Sequence, residues 1–203
     1  MNAVRKYWET CRANYAHLRY NWDMHPGDKR EAYFNDMFFD HINFKGKVVV
    51  DYGCGGGQMG VYLHTYKEIK KYIGIDIAER SIEFSKRNLE EFEHELYVVP
   101  VDFGKLDADI FMTIACIQHF PSEKFLELFL KNINRSGIRI IILQFRQNDV
   151  MRFNDAYDIE GEGDKGTACL TNETYISSRL TNYNLFRKSE IIKISQVLIY
   201  KLK

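Results

Sequence analysis

The chain lacks an excess of charge of either sign. Its 203 residues include 28 Lys and Arg and 28 Asp and Glu, so the formal net charge is 0. A general binder of nucleic acid or of a membrane surface needs a basic excess, which argues against both partners. No hydrophobic run approaches the ~18 residues of a membrane-spanning helix, and no secretory apolar segment follows Met1. We therefore expect a cytoplasmic protein.

Cysteine and proline are also scarce, with 4 and 3 residues. No two cysteines form a C-x-x-C pair, so the sequence predicts reduced thiols and no zinc, iron–sulfur or other metal site. There is no internal repeat and no low-complexity linker. A chain of this length with 45% hydrophobic residues therefore predicts one domain, spanning residues 1–203.

Hydrophobic spacing divides this domain into two parts. Apolar residues recur every three or four positions from Val4 to Trp22, and a second helical stripe follows, so residues 1–46 are predicted to form a helical cap. From residue 47 to 203, short apolar runs alternate with helical patterns, which predicts a sheet core covered by helices on both faces. We expect parallel strands at 47–51, 71–76, 96–101, 109–115 and 138–144, and helices at 58–66, 79–92 and 122–133.

The end of the chain has a different pattern. Residues 145–170 are polar and irregular, and a loop of this length suggests a lid over a substrate. A short helix is expected at 171–180. Two strands at 183–188 and 196–202 then predict an antiparallel hairpin at the edge of an otherwise parallel sheet.

The stretch VVVDYGCGGGQMG, residues 48–60, predicts a strand, a tight glycine turn and the start of a helix. It does not fit the usual phosphate-binding turns. Gln58 stands where the dinucleotide motif has its third glycine, and the G-K-[ST] of a P-loop is absent. Asp51, just before the turn, would repel a pyrophosphate but attract an ammonium group.

A zwitterionic ligand satisfies these constraints. Backbone N–H groups at the start of a helix suit a carboxylate, and Asp51 suits a nearby amine, directly or through water. A second acid, Asp76, ends the next strand and can accept hydrogen bonds from two ribose hydroxyls. Adenosine carrying an amino acid has all three groups, and S-adenosylmethionine is such a molecule.

At this point residues 48–142 resemble the class I S-adenosylmethionine-dependent methyltransferases. The resemblance implies a Rossmann-like, doubly wound, seven-stranded sheet, with S-adenosylmethionine as cofactor and S-adenosylhomocysteine (SAH) as product. It implies that the turn glycines face the methionine, the second-strand acid holds the ribose, the third-strand acid contacts the adenine, and the segment after the fourth strand lines the sulfonium. The cofactor residues so assigned are Asp51, Gly53, Gly55, Gly57, Asp76, Ile77, Asp102, Phe103, Ala115 and Cys116. The two aspartates at strands one and two could instead only cap helices, and Asp102 could only start a turn.

The prediction for the methyl acceptor rests on His119. This residue follows the fourth strand, and histidine has the intrinsic pKa of a general base. It could instead pack as a structural histidine between its neighbours. Candidate substrate contacts are Tyr7 and Trp8 as an aromatic lid, Gln118 beside the histidine, and Arg146 and Arg152 for an anionic acceptor. Trp8, with Tyr15 and Trp22 on the same apolar stripe, could instead pack on the sheet, and the arginines could be merely solvated.

Several subclasses are disfavoured by missing motifs. The chain has IQHFP where methyltransferases of base amino groups carry [DNS]-P-P-[YF], and no Pro-Cys pair exists for cytosine C5 chemistry. We therefore predict a methyltransferase for a polar small molecule, with O-methylation favoured. A protein or RNA methyltransferase and a non-catalytic S-adenosylmethionine-binding subunit stay open, and a nicotinamide-binding domain is a weaker alternative. The sequence does not predict the oligomeric state.

Overall fold

A computed structural model describes residues 2–10, 29–153, 169–192 and 194–203. Among them are six α-helices: α1 (Asn2–Thr10), α2 (Lys29–Phe34), α3 (Gln58–Lys67), α4 (Glu79–Asn88), α5 (Glu123–Arg135) and α6 (Glu173–Arg179). The strands are β1 (Val48–Tyr52), β2 (Lys71–Asp76), β3 (His94–Val98), β4 (Ile110–Thr113), β5 (Ile140–Arg146), β6 (Arg152–Phe153), β7 (Cys169–Leu170), β8 (Tyr183–Lys188) and β9 (Ser195–Leu202). Within these ranges no helix is long and apolar enough to cross a membrane.

Seven strands form one sheet in the order β3-β2-β1-β4-β5-β9-β8, and β6 and β7 form a separate pair. β1 is parallel to β2 and β4, and β2 is parallel to β3. β9 is antiparallel to both β5 and β8. The predicted Rossmann-like sheet with a C-terminal antiparallel edge hairpin is confirmed.

The chain forms two compact units. The first comprises Met1–Val101 with Ala108–Met112. Its strands β1 and β2 are largely apolar and are buried for most of their length, as in a parallel sheet. The register sets Asp51 opposite Gly74 and Asp76 opposite Val98, so the acids lie at the carboxyl ends of neighbouring parallel strands.

The second unit comprises Asp102–Asp107 with Thr113–Lys203. Its core is β5, buried from Ile141 to Phe145, paired with the buried middle of β9. Helix α5 begins where the Ser122 hydroxyl accepts from the Phe125 N–H at 3.2 Å, and it buries one apolar face. The prediction of a single domain over 1–203 stays a prediction.

Several predicted boundaries were wrong. Strand β3 begins two residues early and ends at Val98, before Pro100, because proline has no N–H to continue the ladder. Helix α4 ends at Asn88 rather than at residue 92. In the 145–170 segment, β5 continues to Arg146, and β6 pairs with β7, whereas residues 148–151 between them are irregular, as predicted. Residues 154–168 of the proposed lid lie outside the described residues.

The N-terminal segment contains helices, as expected for residues 1–46. Val4 on α1 is buried, whereas the rest of the predicted stripe, from residue 11 to Trp22, lies outside the described residues. Helix α2 runs into a π-helical turn, Asn35–Phe39. The wider turn buries Met37, Phe38 and Phe39 together. The role of the segment as a cap stays a prediction.

Candidate functional site

The glycine turn connects β1 to α3 in the first unit. Gly53, Gly55 and Gly57 have φ of +83°, +54° and +79°, a left-handed conformation that favours glycine. At Gly57 a Cβ would also lie 3.0 Å from the Leu89 side chain and 3.0 Å from the Ser85 hydroxyl. The turn can therefore approach a ligand with its backbone, because it carries no side chain at these three positions.

Hydrogen bonds fix the turn against β2 and α4. The N–H groups of Gly53 and Cys54 donate to the Ile75 carbonyl at 2.7 and 3.1 Å. On the other side, the Ser85 hydroxyl donates to the Gly55 carbonyl at 2.8 Å, and the Asn88 amide donates to the Gly56 carbonyl at 2.8 Å. The turn is thus held before any ligand binds. Its last residue leads into α3, whose first N–H groups have no acceptor within the helix.

Asp76 ends β2 and its carboxylate joins the turn to the start of α4. Oδ2 accepts from the Gly55 N–H at 3.0 Å, and Oδ1 accepts from the Ala78 N–H at 2.9 Å. Burial raises the pKa of Asp76, and these hydrogen bonds oppose the rise. The Ile77 N–H and the Ser81 hydroxyl also hydrogen-bond to this carboxylate. Ile77 follows it and is half-buried.

Asp51 lies deeper in the same unit, with 4% of its surface exposed. The Tyr72 hydroxyl donates to its Oδ2 at 2.7 Å. Burial raises the pKa of Asp51 to about 7; the tyrosine hydrogen bond opposes the rise and the charge of Asp76 adds to it. A carboxylate with this pKa is readily stabilised in its charged form by a ligand cation. These features suit an ammonium group.

Helix α1 bonds to the loops that follow β2 and β3. The Arg5 guanidinium donates to the Val99 carbonyl at 2.7 Å. The Glu9 carboxylate accepts from the Glu79 N–H at 2.6 Å and from the Arg80 N–H at 3.3 Å, at the start of α4. Sequence reasoning missed both residues, because side chains that bond to backbone groups leave no pairing pattern in the sequence.

The predicted aromatic lid residues lie on this helix. Tyr7 and Trp8 are half-buried and contact each other edge to face, with ring centroids 5.2 Å apart. Neither ring is fully packed into the core. Their role in acceptor binding stays a prediction.

In the second unit, Asp102 and Phe103 form the start of a short 3-10 turn. The Asp102 carboxylate accepts from the Gly104 N–H at 3.1 Å, so the predicted turn-starting role is present. Its other oxygen has no partner among the described residues and Asp102 is exposed, so that oxygen can accept from an amino group. The Phe103 ring is buried and packs edge to face on Phe129, 5.8 Å away, so only its backbone can serve a ligand.

The segment after β4 also belongs to the second unit. Ala115 has φ +52°, a strained value for a residue with a side chain, and its N–H donates to the Gln144 amide oxygen at 2.8 Å. Cys116 caps a 3-10 turn, Ile117–His119, in which Gln118 is buried and His119 is half-buried. The sequence did not identify Gln144 as a site residue, because its only indication was an amide side chain within an otherwise apolar strand.

The two predicted arginines lie on different strands of the second unit. Arg146 ends β5, is half-buried, and accepts from the Thr171 N–H at 3.1 Å through its carbonyl. Arg152 is exposed on β6. Among the described residues, no group of three or more His, Cys, Asp or Glu side chains could hold a metal ion.

Comparison with known families matches residues 43–181, more than half of the chain, to a family described as a methyltransferase domain. Magnesium protoporphyrin IX methyltransferase (ChlM) from Synechocystis PCC 6803 with bound SAH has a similar structure. Its TM-score is 0.68 at 16% identity, with 100% of this chain and 99% of that chain covered. The PH0226 protein from Pyrococcus horikoshii OT3 gives a TM-score of 0.66 at 15% identity, with 93% and 98% covered. Likeness at these identities shows the fold alone.

A curated protein matches a shorter stretch. It is the rRNA N(6)-adenosine-methyltransferase metl-5 of Caenorhabditis elegans, 34% identical over 58 residues. The match covers 29% of this chain and 27% of the length of that relative.

Proposed function

The chain belongs to the methyltransferase domain family, as a class I S-adenosylmethionine-dependent enzyme, and we propose that it methylates an oxygen atom of a polar small molecule. S-adenosylmethionine is its methyl donor. The observation that carries the cofactor assignment is the glycine turn bonded to Asp76, with the buried Asp51 beneath it. Neither carboxylate suits a pyrophosphate, whereas an amino acid joined to adenosine complements both.

The first unit supplies the groups for methionine and ribose. Gly53, Gly55 and Gly57 let the backbone approach the methionine, Asp51 faces its ammonium group, and Asp76 accepts from the ribose hydroxyls. Support comes from the left-handed turn, from the Asp51 oxygen that Tyr72 leaves open, and from the place of Asp76 at the end of β2. Ile77 offers an apolar surface beside the ribose.

The groups proposed for adenine and for the reacting centre are assigned from the resemblance to the family. Asp102 accepts from the adenine amino group, and the backbone of Phe103 lies near the ring. Ala115 and Cys116 line the sulfonium. Support comes from the open oxygen of Asp102 and from the strained backbone at Ala115, which is typical of functional sites.

When bound, S-adenosylmethionine would supply an activated methyl group for in-line displacement by the acceptor. The protein has to align the acceptor oxygen and remove its proton. His119 is the base we assign, because it is half-buried, ends the 3-10 turn after β4, and follows the residues assigned to the sulfonium. Gln118, Tyr7, Trp8, Arg146 and Arg152 are the proposed acceptor contacts.

A second candidate function is methylation of RNA. The 34% identity to an rRNA N(6)-adenosine-methyltransferase over 58 residues favours it. The segment IQHFP, which lacks the motif of base amino-group methyltransferases, and the zero net charge favour a small acceptor. A non-catalytic subunit is the remaining alternative, and turnover with any acceptor would exclude it.

The test is transfer of a radioactive methyl group from S-adenosylmethionine into separate small-molecule, RNA and protein fractions of a cell extract. We expect label in the small-molecule fraction, recovered as an alkali-stable ether. The His119→Ala variant should bind SAH but transfer no label. Label in RNA alone would support the second candidate and contradict the first.

A further inference from the structure

The ring of Tyr72 occupies a slot between two glycines. A Cβ at Gly60 of α3 would lie 2.9 Å from three atoms of this ring, whereas a Cβ at Gly74 of β2 would lie 2.7 Å from the Leu96 side chain and 3.0 Å from one of the same three ring atoms. Real Cβ atoms essentially never approach a neighbour more closely than 3.0 Å, so position 60 needs glycine if the ring is to stay where it is, and position 74 needs glycine first because of Leu96 and also because of the ring. The tyrosine itself is fully buried.

From this slot the hydroxyl group reaches one oxygen of a buried carboxylate. Tyr72 donates to Oδ2 of Asp51 at 2.7 Å. Within the described part of the chain, the Asp51 carboxylate has no other hydrogen-bond partner, so Oδ1 keeps its full capacity as an acceptor. The tyrosine therefore holds one oxygen and leaves the other for a ligand.

Two ionisable groups, Tyr72 and Asp76, act on the pKa of Asp51, and the charge of Asp51 in turn raises the pKa of the Cys54 thiol. Tyr72 lies on β2, Asp76 ends the same strand, and Cys54 lies in the glycine turn. Burial raises the pKa of the Tyr72 hydroxyl and that of the Cys54 thiol well above their usual values, so both groups stay protonated. Tyr72 is consequently a hydrogen-bond donor to Asp51 at every pH of interest, and Asp76 contributes only repulsion.

We propose that Tyr72 is a positioning residue for cofactor binding: its hydroxyl holds the Asp51 carboxylate so that the free oxygen receives the ammonium group of the methionine moiety. This rests on the proposed function, which assigns Asp51 to that ammonium group. The glycines at 60 and 74 then serve the same purpose, because they make room for the ring that carries the hydroxyl.

The test compares two ligands by calorimetry in the wild type and in Tyr72→Phe. SAH carries the amino acid, whereas 5′-methylthioadenosine shares the adenosine and lacks the amino acid. We expect Tyr72→Phe to weaken SAH binding about tenfold, through loss of a hydrogen bond to a charged acceptor, and to change 5′-methylthioadenosine binding less than about twofold. The matched control is Tyr183→Phe, which removes another buried hydroxyl, bonded to the Ile138 carbonyl at 2.9 Å. It should leave both affinities unchanged.

A pH series separates positioning from a general loss of structure. In the wild type, SAH binding should weaken as the pH falls below about 7, because Asp51 becomes protonated there. Without the tyrosine hydroxyl the charged form of Asp51 loses its donor, so its pKa rises and the weakening should begin at a higher pH. If Tyr72 only stabilised the fold, SAH binding would weaken at the same pH in Tyr72→Phe as in the wild type.

The outcomes are distinguishable. If the wild type binds neither ligand, the proposed function fails. If it binds both and Tyr72→Phe weakens them equally, or leaves SAH binding and its pH profile unchanged, the positioning role is wrong. Should Tyr72→Phe not fold, Gly60→Ala tests the same point, since its methyl group must displace the ring. The same selective loss of SAH affinity is expected there, and equal loss of both ligands would overturn the proposal.

Discussion

Replacing Asp76 with alanine tests the ribose assignment. The change removes a carboxylate that accepts from the N–H groups of Gly55 and Ala78 and that we assign to the ribose hydroxyls. A hydrogen bond to a charged acceptor contributes about 1.5–3 kcal/mol. We therefore expect Asp76→Ala to weaken SAH binding by about 10- to 150-fold, by the usual conversion of free energy into an affinity ratio. The loss of the two backbone partners should also lower the free energy of unfolding by about 1–3 kcal/mol.

The assay is calorimetric titration with SAH, combined with denaturant unfolding of the same preparations. Asp109→Ala is the matched control in the same unit. Its carboxylate also accepts from a backbone N–H, that of Val48 at 3.1 Å, but at the amino end of β1, and it contacts Lys47 at 3.6 Å. Asp109→Ala should have a lower free energy of unfolding than the wild type and should bind SAH with the same affinity. Unchanged SAH affinity in folded Asp76→Ala would refute the reasoning, as would an equal loss of affinity in the control.

Three further predictions concern other positions. The folded pKa of Asp51, about 7, lies above its ordinary value of 3.8, so the wild type loses stability as the pH rises between these values. The side chain of Asp51→Asn does not titrate, so we expect its free energy of unfolding to exceed that of the wild type by about 2–4 kcal/mol at pH 8 and by less at pH 5. Denaturant unfolding at both pH values measures this difference. A difference that does not change with pH would contradict the prediction. His119→Ala should bind SAH within about twofold of the wild type and lose methyl transfer, and surviving turnover would exclude the base role. Ala115→Gly should relieve a left-handed backbone and raise the melting temperature by about 1–2 °C, whereas a lower melting temperature would show that φ +52° is not strained.

The sheet and its cofactor end could be predicted from sequence because they depend on local patterns. Buried parallel strands are continuous apolar runs, and a run that ends in an acid and a glycine turn marks its own carboxyl end. Asp51 and Asp76 were therefore placed on the correct strands. The β6–β7 pair was missed because strands of two residues are too short to show a period.

The contacts that organise the site were not predictable from the sequence. The hydroxyl of Tyr72 bonds to a residue 21 positions away, and the room for its ring depends on Gly60 and Gly74. Arg5 and Glu9 bond to backbone groups 94 and 70 positions away. Such contacts exist only after the strands have paired, and no local period or spacing indicates them. Tyr72 was expected only as part of an apolar strand.

The central claim is that the glycine turn and the two strand-end acids bind an amino acid joined to adenosine. Calorimetric titration of the purified protein with S-adenosylmethionine, SAH, NAD and ATP tests it most directly. We predict micromolar binding of the two adenosyl-sulfur ligands and no binding of NAD or ATP. Binding of NAD or ATP, or of none of the four, would contradict the assignment of the glycine turn and of every residue placed around it.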